Sequence, residues 1–360
     1  MMAKFRLPVL VPLDFSPRRF AFVAVIGVMI SLHGCYYVQA ARGQFEVMRS
    51  RESIADVIRS DETPVELGDR LRVVEQARVF SIDVLGLPDN DSYRSYADLE
   101  RDYVIWNVIA VPEFSLQPKR WCYPIVGCVS YRGYFSEQAA KRKAARLRAN
   151  GYDVAFGGVA AYSTLGRFND PILNTMMHWD DVDLVAVMFH ELAHQLIYIK
   201  DDSAFNESFA TAVEQTGIER WLALTGNVGE LDEYYDRIDR RQRLMQLVDA
   251  AREDLRTYYS NAIGQNEKRR LKADRITRLE EDIRAEFTQA GQSSPTWLEA
   301  GLNNARIASL VLYNGHVPAF RALLRQCKDD LRCFYAEAKT LSNLDKETRE
   351  AGLAALKRPG

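Results

Sequence analysis

Val187-Met188-Phe189-His190-Glu191-Leu192-Ala193-His194-Gln195-Leu196-Ile197-Tyr198 is the stretch on which the reading of this chain turns. It contains H-E-x-x-H, and Glu191 is the one acid in an otherwise apolar run. Such a run suits a buried helix, on which residues four apart share a face. His190 and His194 would then bind one metal ion together, with Glu191 beside the bound water as general base. The alternative is two histidines packed on a partly buried helix without an ion.

A catalytic zinc takes three protein ligands and keeps a fourth position open. Downstream of His194 one further histidine remains, His316, whereas Glu207 lies 13 residues on, in Asp202-Ser203-Ala204-Phe205-Asn206-Glu207-Ser208-Phe209-Ala210. Lys200-Asp201-Asp202 reads as a turn, and Asp202 or Ser203 as the cap of a second helix. That helix would return antiparallel and aim Glu207 at the ion. Glu214, seven residues later on the same face, is either a partner that orients a histidine or a plain ion pair. The order H-E-x-x-H, turn, N-E-x-x-A resembles the zinc peptidases whose third ligand is Glu, the gluzincins.

Outward from this centre, Tyr152–Val159 reads as a strand, and Ser136–Asn150 as a capped helix stopped by Gly151. Cys122–Phe135 reads as a hairpin or loop, and residues 103–111, YVIWNVIAV, as a strand. Residues 45–85 carry helical periodicity. Beyond Asp183 the pattern is helical almost throughout, with an antiparallel hairpin over 230–289 that breaks near Gly264. The fold class expected is α+β: a zincin-like domain, mainly helical, with a small sheet before the active-site helix and a helical C-terminal part. The boundaries expected are 1–34 for a signal peptide, 35–226 for the catalytic domain and 227–360 for the helical region.

The N-terminus is basic (Lys4, Arg6, Arg18, Arg19) and leads into Phe20–Leu32, an uncharged apolar run of 13 residues. That is short for a membrane span and suits a signal-peptide core. Leu32-His33-Gly34-Cys35 resembles a bacterial lipobox, with His33 in place of the usual small residue. Cys35 is therefore the expected lipidation site, on a chain facing the periplasm from the cell envelope, most simply the outer membrane. An uncleaved signal anchor is the alternative.

Four cysteines remain, Cys122, Cys128, Cys327 and Cys333, as two C-x5-C pairs. An even number in an exported chain suggests disulfides, with three connectivities open and the two local loops favoured. A four-cysteine zinc site competes, although its usual spacing is shorter. Across all 360 residues, 47 Lys and Arg stand against 49 Asp and Glu, a net charge of −2, with 47% hydrophobic residues. These figures exclude a disordered or fibrous chain and give no support to nucleic-acid binding.

HELAHQLIY, FNESFATAVEQTG, VSYRGYF (129–135) and AYSTLGRFNDPI (161–172), with the lipobox, resemble a family of bacterial lipoproteins regarded as aminopeptidases. The resemblance runs from about Cys35 to the end and implies a zinc peptidase. In gluzincins an edge strand before H-E-x-x-H pairs with the substrate backbone. Ala161, Tyr162, Ser163 and Thr164 fall at that position, so they are the expected substrate-binding residues, with an ordinary turn as the alternative. A donor for the developing oxyanion is also needed. Tyr131 and Tyr134 are the first candidates, followed by Tyr162, Tyr313 and His316. His178, beside Trp179, reads as structural or at a pocket edge. Aminopeptidases of this kind place a carboxylate before H-E-x-x-H to hold the free amine, and Gly157-Gly158-Val159-Ala160-Ala161 has none. Endopeptidase action and an amine clamp from Glu214 both stay open. The partners expected are a peptide or protein substrate, the membrane through the lipid, and a protein at the helical hairpin. A zinc-stabilised, non-catalytic envelope scaffold is the rival from another class.

Overall fold

A computed structural model describes residues 36–123, 127–311 and 315–356. The signal segment, Cys35 and Tyr313 lie outside the described residues. Residues 36–49 are helical (α1); a first unit ends at Phe45, and everything below belongs to the second, Glu46–Gly360.

The fold is α+β and mostly helical, with small sheets. Three short strands, β1 (Arg51–Ser53), β2 (Ser95–Ala97) and β8 (Ile172–Leu173), form one sheet in the order β1-β2-β8. Between the first two run α2 (Ile54–Arg59) and α3 (Val65–Asp83), which realise the helical periodicity of that region. A second sheet has the order β6-β3-β7, from Arg132–Tyr134, Ile105–Pro112 and Tyr152–Val159, antiparallel throughout. The hairpin of β4 (Trp121–Tyr123) and β5 (Gly127–Val129) stands beside it, closed by the Cys122–Cys128 disulfide.

The two faces of β3 are used differently because a strand alternates its side chains. Ile109 and Val111, with Ala155 of β7, pack on Ala305 and Ala308 of α10 (Asn304–Val311). On the other face lies α4 (Glu137–Ala149), which buries Ala140, Ala144 and Leu147 and is capped by Ser136 accepting from the Ala139 amide. β7 is therefore an edge strand, and two of its carbonyls are already taken. Asn303 donates to the Val154 carbonyl and Arg306 to that of Phe156.

The main core surrounds α5 (Asp181–Leu196) and α6 (Ser203–Thr225). Asp180 caps α5 by accepting from the Asp183 amide at 2.7 Å. The helices approach so closely that a Cβ on Gly217 would stand 2.6 Å from Phe189 Cδ2 and 2.9 Å from Leu85 Cδ1. Only a residue without a side chain fits there. α7 (Val228–Ser260) and α8 (Gln265–Gln289) form the expected antiparallel hairpin, held by Val248, Ala251, Leu255, Leu279 and Ile283 and followed by the short α9 (Thr296–Glu299).

The core of α5 and α6 also takes in residues beyond 226. Helices α11 (Val317–Gln326), α12 (Leu331–Ser342) and α13 (Lys346–Leu356) share the core of α5 and α6. Phe320 packs edge-on against Phe205 and Phe209, and Phe334 stacks on Phe209. Pro318 lies in the first turn of α11, where a missing N–H costs nothing, so it begins that helix instead of interrupting one. Cys327 bonds Cys333 across a turn in which Lys328 and Asp329 are both left-handed. The local pairing is thus the one the structure has for both cysteine pairs.

Candidate metal centre

α5 and α6 bring His190, His194 and Glu207 together. Their ligand atoms all lie within 4.8 Å of one another. Glu207 Oε2 stands 3.3 Å from His190 Nε2 and 3.7 Å from His194 Nε2. Ligands about 2.1 Å from a tetrahedral zinc are separated by about 3.4 Å, so these spacings suit one ion. The His190 and His194 rings are 4.8 Å apart and nearly perpendicular, and each turns its Nε2 toward the same carboxylate.

Behind the donors is a second row of contacts. His190 Nδ1 lies 2.9 Å from Glu214 Oε2, which fixes the ring with Nε2 turned inward. The Tyr234 hydroxyl donates to the other Glu214 oxygen at 3.4 Å. Both readings offered for Glu214 place it against His190, as an ion pair and as a contact that can orient the ring. Tyr234 was not legible: it sits on a charged helix 20 residues away, with nothing local to mark it. His194 Nδ1 is buried without a hydrogen-bond partner among the described residues.

Burial works against charge here and the hydrogen bonds overcome it. Desolvation would lower the His190 pKa, but Glu207 and Glu214 as acceptors, with the field of Glu191, raise it to about 10. Burial would likewise raise Glu207, yet the two imidazoles hold it at about 2. The group is therefore arranged as a compact carboxylate–imidazolium cluster, whose proton a cation can replace.

The turn before α6 is built to aim Glu207. Asp201 is left-handed, a conformation that Asp tolerates. Asn206 donates to the Ile199 carbonyl at 2.7 Å and accepts from the Ile199 amide at 2.8 Å. Asp202 caps the helix through the Phe205 amide and is itself gripped by Arg349 at 2.6 Å, an ion pair that is almost fully buried. From outside, the Cys128 amide donates to Asp201 Oδ1 at 3.0 Å, so the disulfide hairpin leans on the same turn.

Gln195, four residues after Glu191, lies on the same face of α5 as Glu191. Asn90 donates to it at 2.7 Å, and it donates to the Ser92 hydroxyl at 3.3 Å. Gly166, with φ +74°, lies so close that a Cβ would meet Gln195 Oε1 at 2.7 Å. Beside them Tyr93 is buried and left-handed, and burial followed by the charges of Glu191 and Asp170 pushes its phenol well up. The wall next to Glu191 is thus made by residues 90–93 and 163–166.

That wall changes the expectation for residues 161–164, which form no strand. Asp170, buried, accepts from the Thr164 amide at 2.8 Å, the Thr164 hydroxyl at 2.7 Å and the Ser163 hydroxyl at 3.2 Å. Side-chain bonds of this kind compete with a ladder, and here they close the loop. Ala161 and Tyr162 are half-buried against the main core, Tyr162 edge-on to Phe135. The strand that precedes this loop is β7, an edge of its sheet, which ends at Val159.

Tyr131 is exposed between β5 and β6, and Tyr134 is buried in β6 opposite Trp106. His316 heads α11, its amide donating to the Ser208 hydroxyl one residue beyond Glu207. His178 is exposed, edge-on to Trp179. Tyr198, a residue given no role from sequence, stands 6.4 Å from the His194 ring and is half exposed. Its signal was present as the last residue of HELAHQLIY, four positions after His194.

Residues 35–353 match the family model described as "Putative aminopeptidase", and the chain belongs to that family. No curated protein and no solved structure matches it.

Proposed function

We propose that this chain is a zinc-dependent peptidase of the gluzincin type, with a zincin-like fold, held at the bacterial envelope by lipid on Cys35. The observation that carries the chemistry is the convergence of His190, His194 and Glu207 on one point, on the helix that also bears Glu191. A zinc ion bound there would supply the Lewis acidity that readies a water for attack on a peptide carbonyl.

Glu191 takes the proton that the attacking water gives up and returns it to the leaving amine. Glu214 keeps His190 in the orientation in which Nε2 faces the ion. Tyr198 joins Tyr131, Tyr134 and His316 as a candidate donor to the developing oxyanion. The edge of β7 between Gly157 and Val159, beyond the carbonyls covered by Asn303 and Arg306, is where a substrate backbone would pair.

Whether residues are removed from the N-terminus or the cut is internal depends on a group that could hold a free amine. Asp170 is spent on the 163–166 loop, Glu214 on His190, and Asp201 on the Cys128 amide. Asp170 and Glu214 are thus engaged in the fold, whereas Asp201 is half exposed and bonded through one oxygen. The envelope reading rests on Phe20–Cys35, since no helix among the described residues is long and apolar enough to cross a membrane.

The test is mass-spectrometric profiling of a peptide library cut by the zinc-loaded chain near neutral pH. Cleavage should be present in the native chain and absent in Glu191→Gln, which retains zinc. Zinc retention with no cleavage by the native chain would favour the scaffold. Cuts confined to N-terminal residues would establish aminopeptidase action, and cuts within the peptides endopeptidase action.

A further inference from the structure

Charge on this protein is unevenly spread. α4 carries Lys141, Arg142, Lys143, Arg146 and Arg148 against one acid, Glu137, which is already paired with Lys141 at 2.6 Å. Its apolar stripe of Ala140, Ala144 and Leu147 faces the sheet, so the basic residues occupy the remaining arc, with four of them exposed and Lys143 half-buried. Lys119 and Arg132 extend the field: after burial, the charges of Arg132, Lys119 and Arg146 are what lower the Lys143 pKa. Arg142, Lys143, Arg146 and Arg148 form no ion pair among the described residues.

The long hairpin shows what an ordinary solvated helix does in the same chain. There Arg252 pairs with Asp249, Arg256 with Glu253, Arg270 with Glu267 and Asp274, and Arg275 with Asp254. Charges of both signs alternate, as a solvated face allows. α4 lacks this neutralisation, on a chain whose net charge is −2.

We propose that the outer face of α4 is a docking surface for an anionic phospholipid bilayer. Charge complementarity selects the partner. The residues between the cations on the outer face are small, Ala145 and Ala149, so the contact is with headgroups and nothing is inserted among the acyl chains. A convex helix with neither groove nor strand edge is poorly shaped for an acidic peptide, which needs one or the other. The proposal uses the envelope reading only to bring a bilayer within reach and is independent of the peptidase chemistry.

The test is co-sedimentation of the full chain with phosphatidylcholine vesicles that contain or lack phosphatidylglycerol. Binding to the zwitterionic vesicles reads the N-terminal segment; the increment on anionic vesicles reads α4. The increment should fall steeply with added salt as the screening length shrinks. It should drop about fivefold for each arginine removed, and so about 100-fold in Arg142→Gln/Arg146→Gln/Arg148→Gln. These side chains are exposed, and the melting curve should match that of the native chain; Arg142→Gln alone serves if the triple variant does not fold. Equal partition onto both vesicle types, or an increment that survives in the folded variant, overturns the proposal while leaving the anchor reading standing. Protection of α4 from hydrogen exchange by soluble polyglutamate, with none from anionic vesicles, would replace the bilayer with an acidic polypeptide.

Discussion

Asn206 and Ile199 exchange two hydrogen bonds, side-chain amide to carbonyl and backbone amide to side-chain oxygen, at 2.7 and 2.8 Å. The pair locks the turn between the two ligand-bearing helices immediately before Glu207. Asn206→Ala should leave the Ile199 amide without a partner and its carbonyl with only the Asp202 amide at 3.3 Å, and destabilise the fold by about 1–3 kcal/mol. Chemical denaturation measures that loss, and zinc affinity should fall with it because Glu207 is no longer held in register.

Glu214 touches His190 and not the predicted ion position. Glu214→Gln should therefore weaken zinc binding about 10- to 100-fold without abolishing it, the usual cost of losing an orienting partner. Chelator competition gives the number. An unchanged affinity would mean that Glu214 is a plain ion pair.

Protons and zinc compete at this group, and the sign follows from the two shifts. His190 has its folded pKa raised to about 10 from 6.5, so its stabilising contribution is complete below 6.5 and lost as pH rises through about 10. Glu207 is depressed to about 2 from 4.5, so its contribution is complete above 4.5 and lost as pH falls through about 2. Chelator-treated protein should thus lose melting temperature steadily between pH 6.5 and 10, while zinc affinity climbs about tenfold per pH unit over the same range as the His190 proton is displaced. Thermal melts and competition titrations across that range check both slopes.

Gly217→Ala would put a methyl group against Phe189 and Leu85 at distances no packed carbon tolerates. The helices must part, at a cost of about 1–3 kcal/mol. A lowered melting temperature together with weaker zinc binding is the expected result, because Phe189 directly precedes His190 on the helix that is pushed away.

What was legible in the sequence is what repeats at short range. His190, His194 and Glu207 follow from helical spacing and one turn, and the strand at Tyr152–Val159 and the hairpin near Gly264 from local pattern. The contacts of Phe205 and Phe209 with Phe320 and Phe334 join positions more than a hundred apart, and no local pattern encodes them. Ala161–Thr164 read as an edge strand because the segment follows one; a single buried carboxylate, Asp170, folds it into a loop instead. The docking of Asn90 and Ser92 on Gln195 was invisible for the same reason of range.

Arg349 grips Asp202, the cap of the helix that carries Glu207, from 147 positions downstream. A chain emerging from its N-terminus exposes both histidines long before that grip can form. Synthesis therefore orders the events: the metal-binding sequence appears midway, and its second helix is tied down only when the last helix arrives. A product truncated before α13 would contain every ligand and still lack the buried cation that balances Asp202. In such a chain the turn before Glu207 would keep the Asn206–Ile199 bonds and lose the clamp on its helix cap.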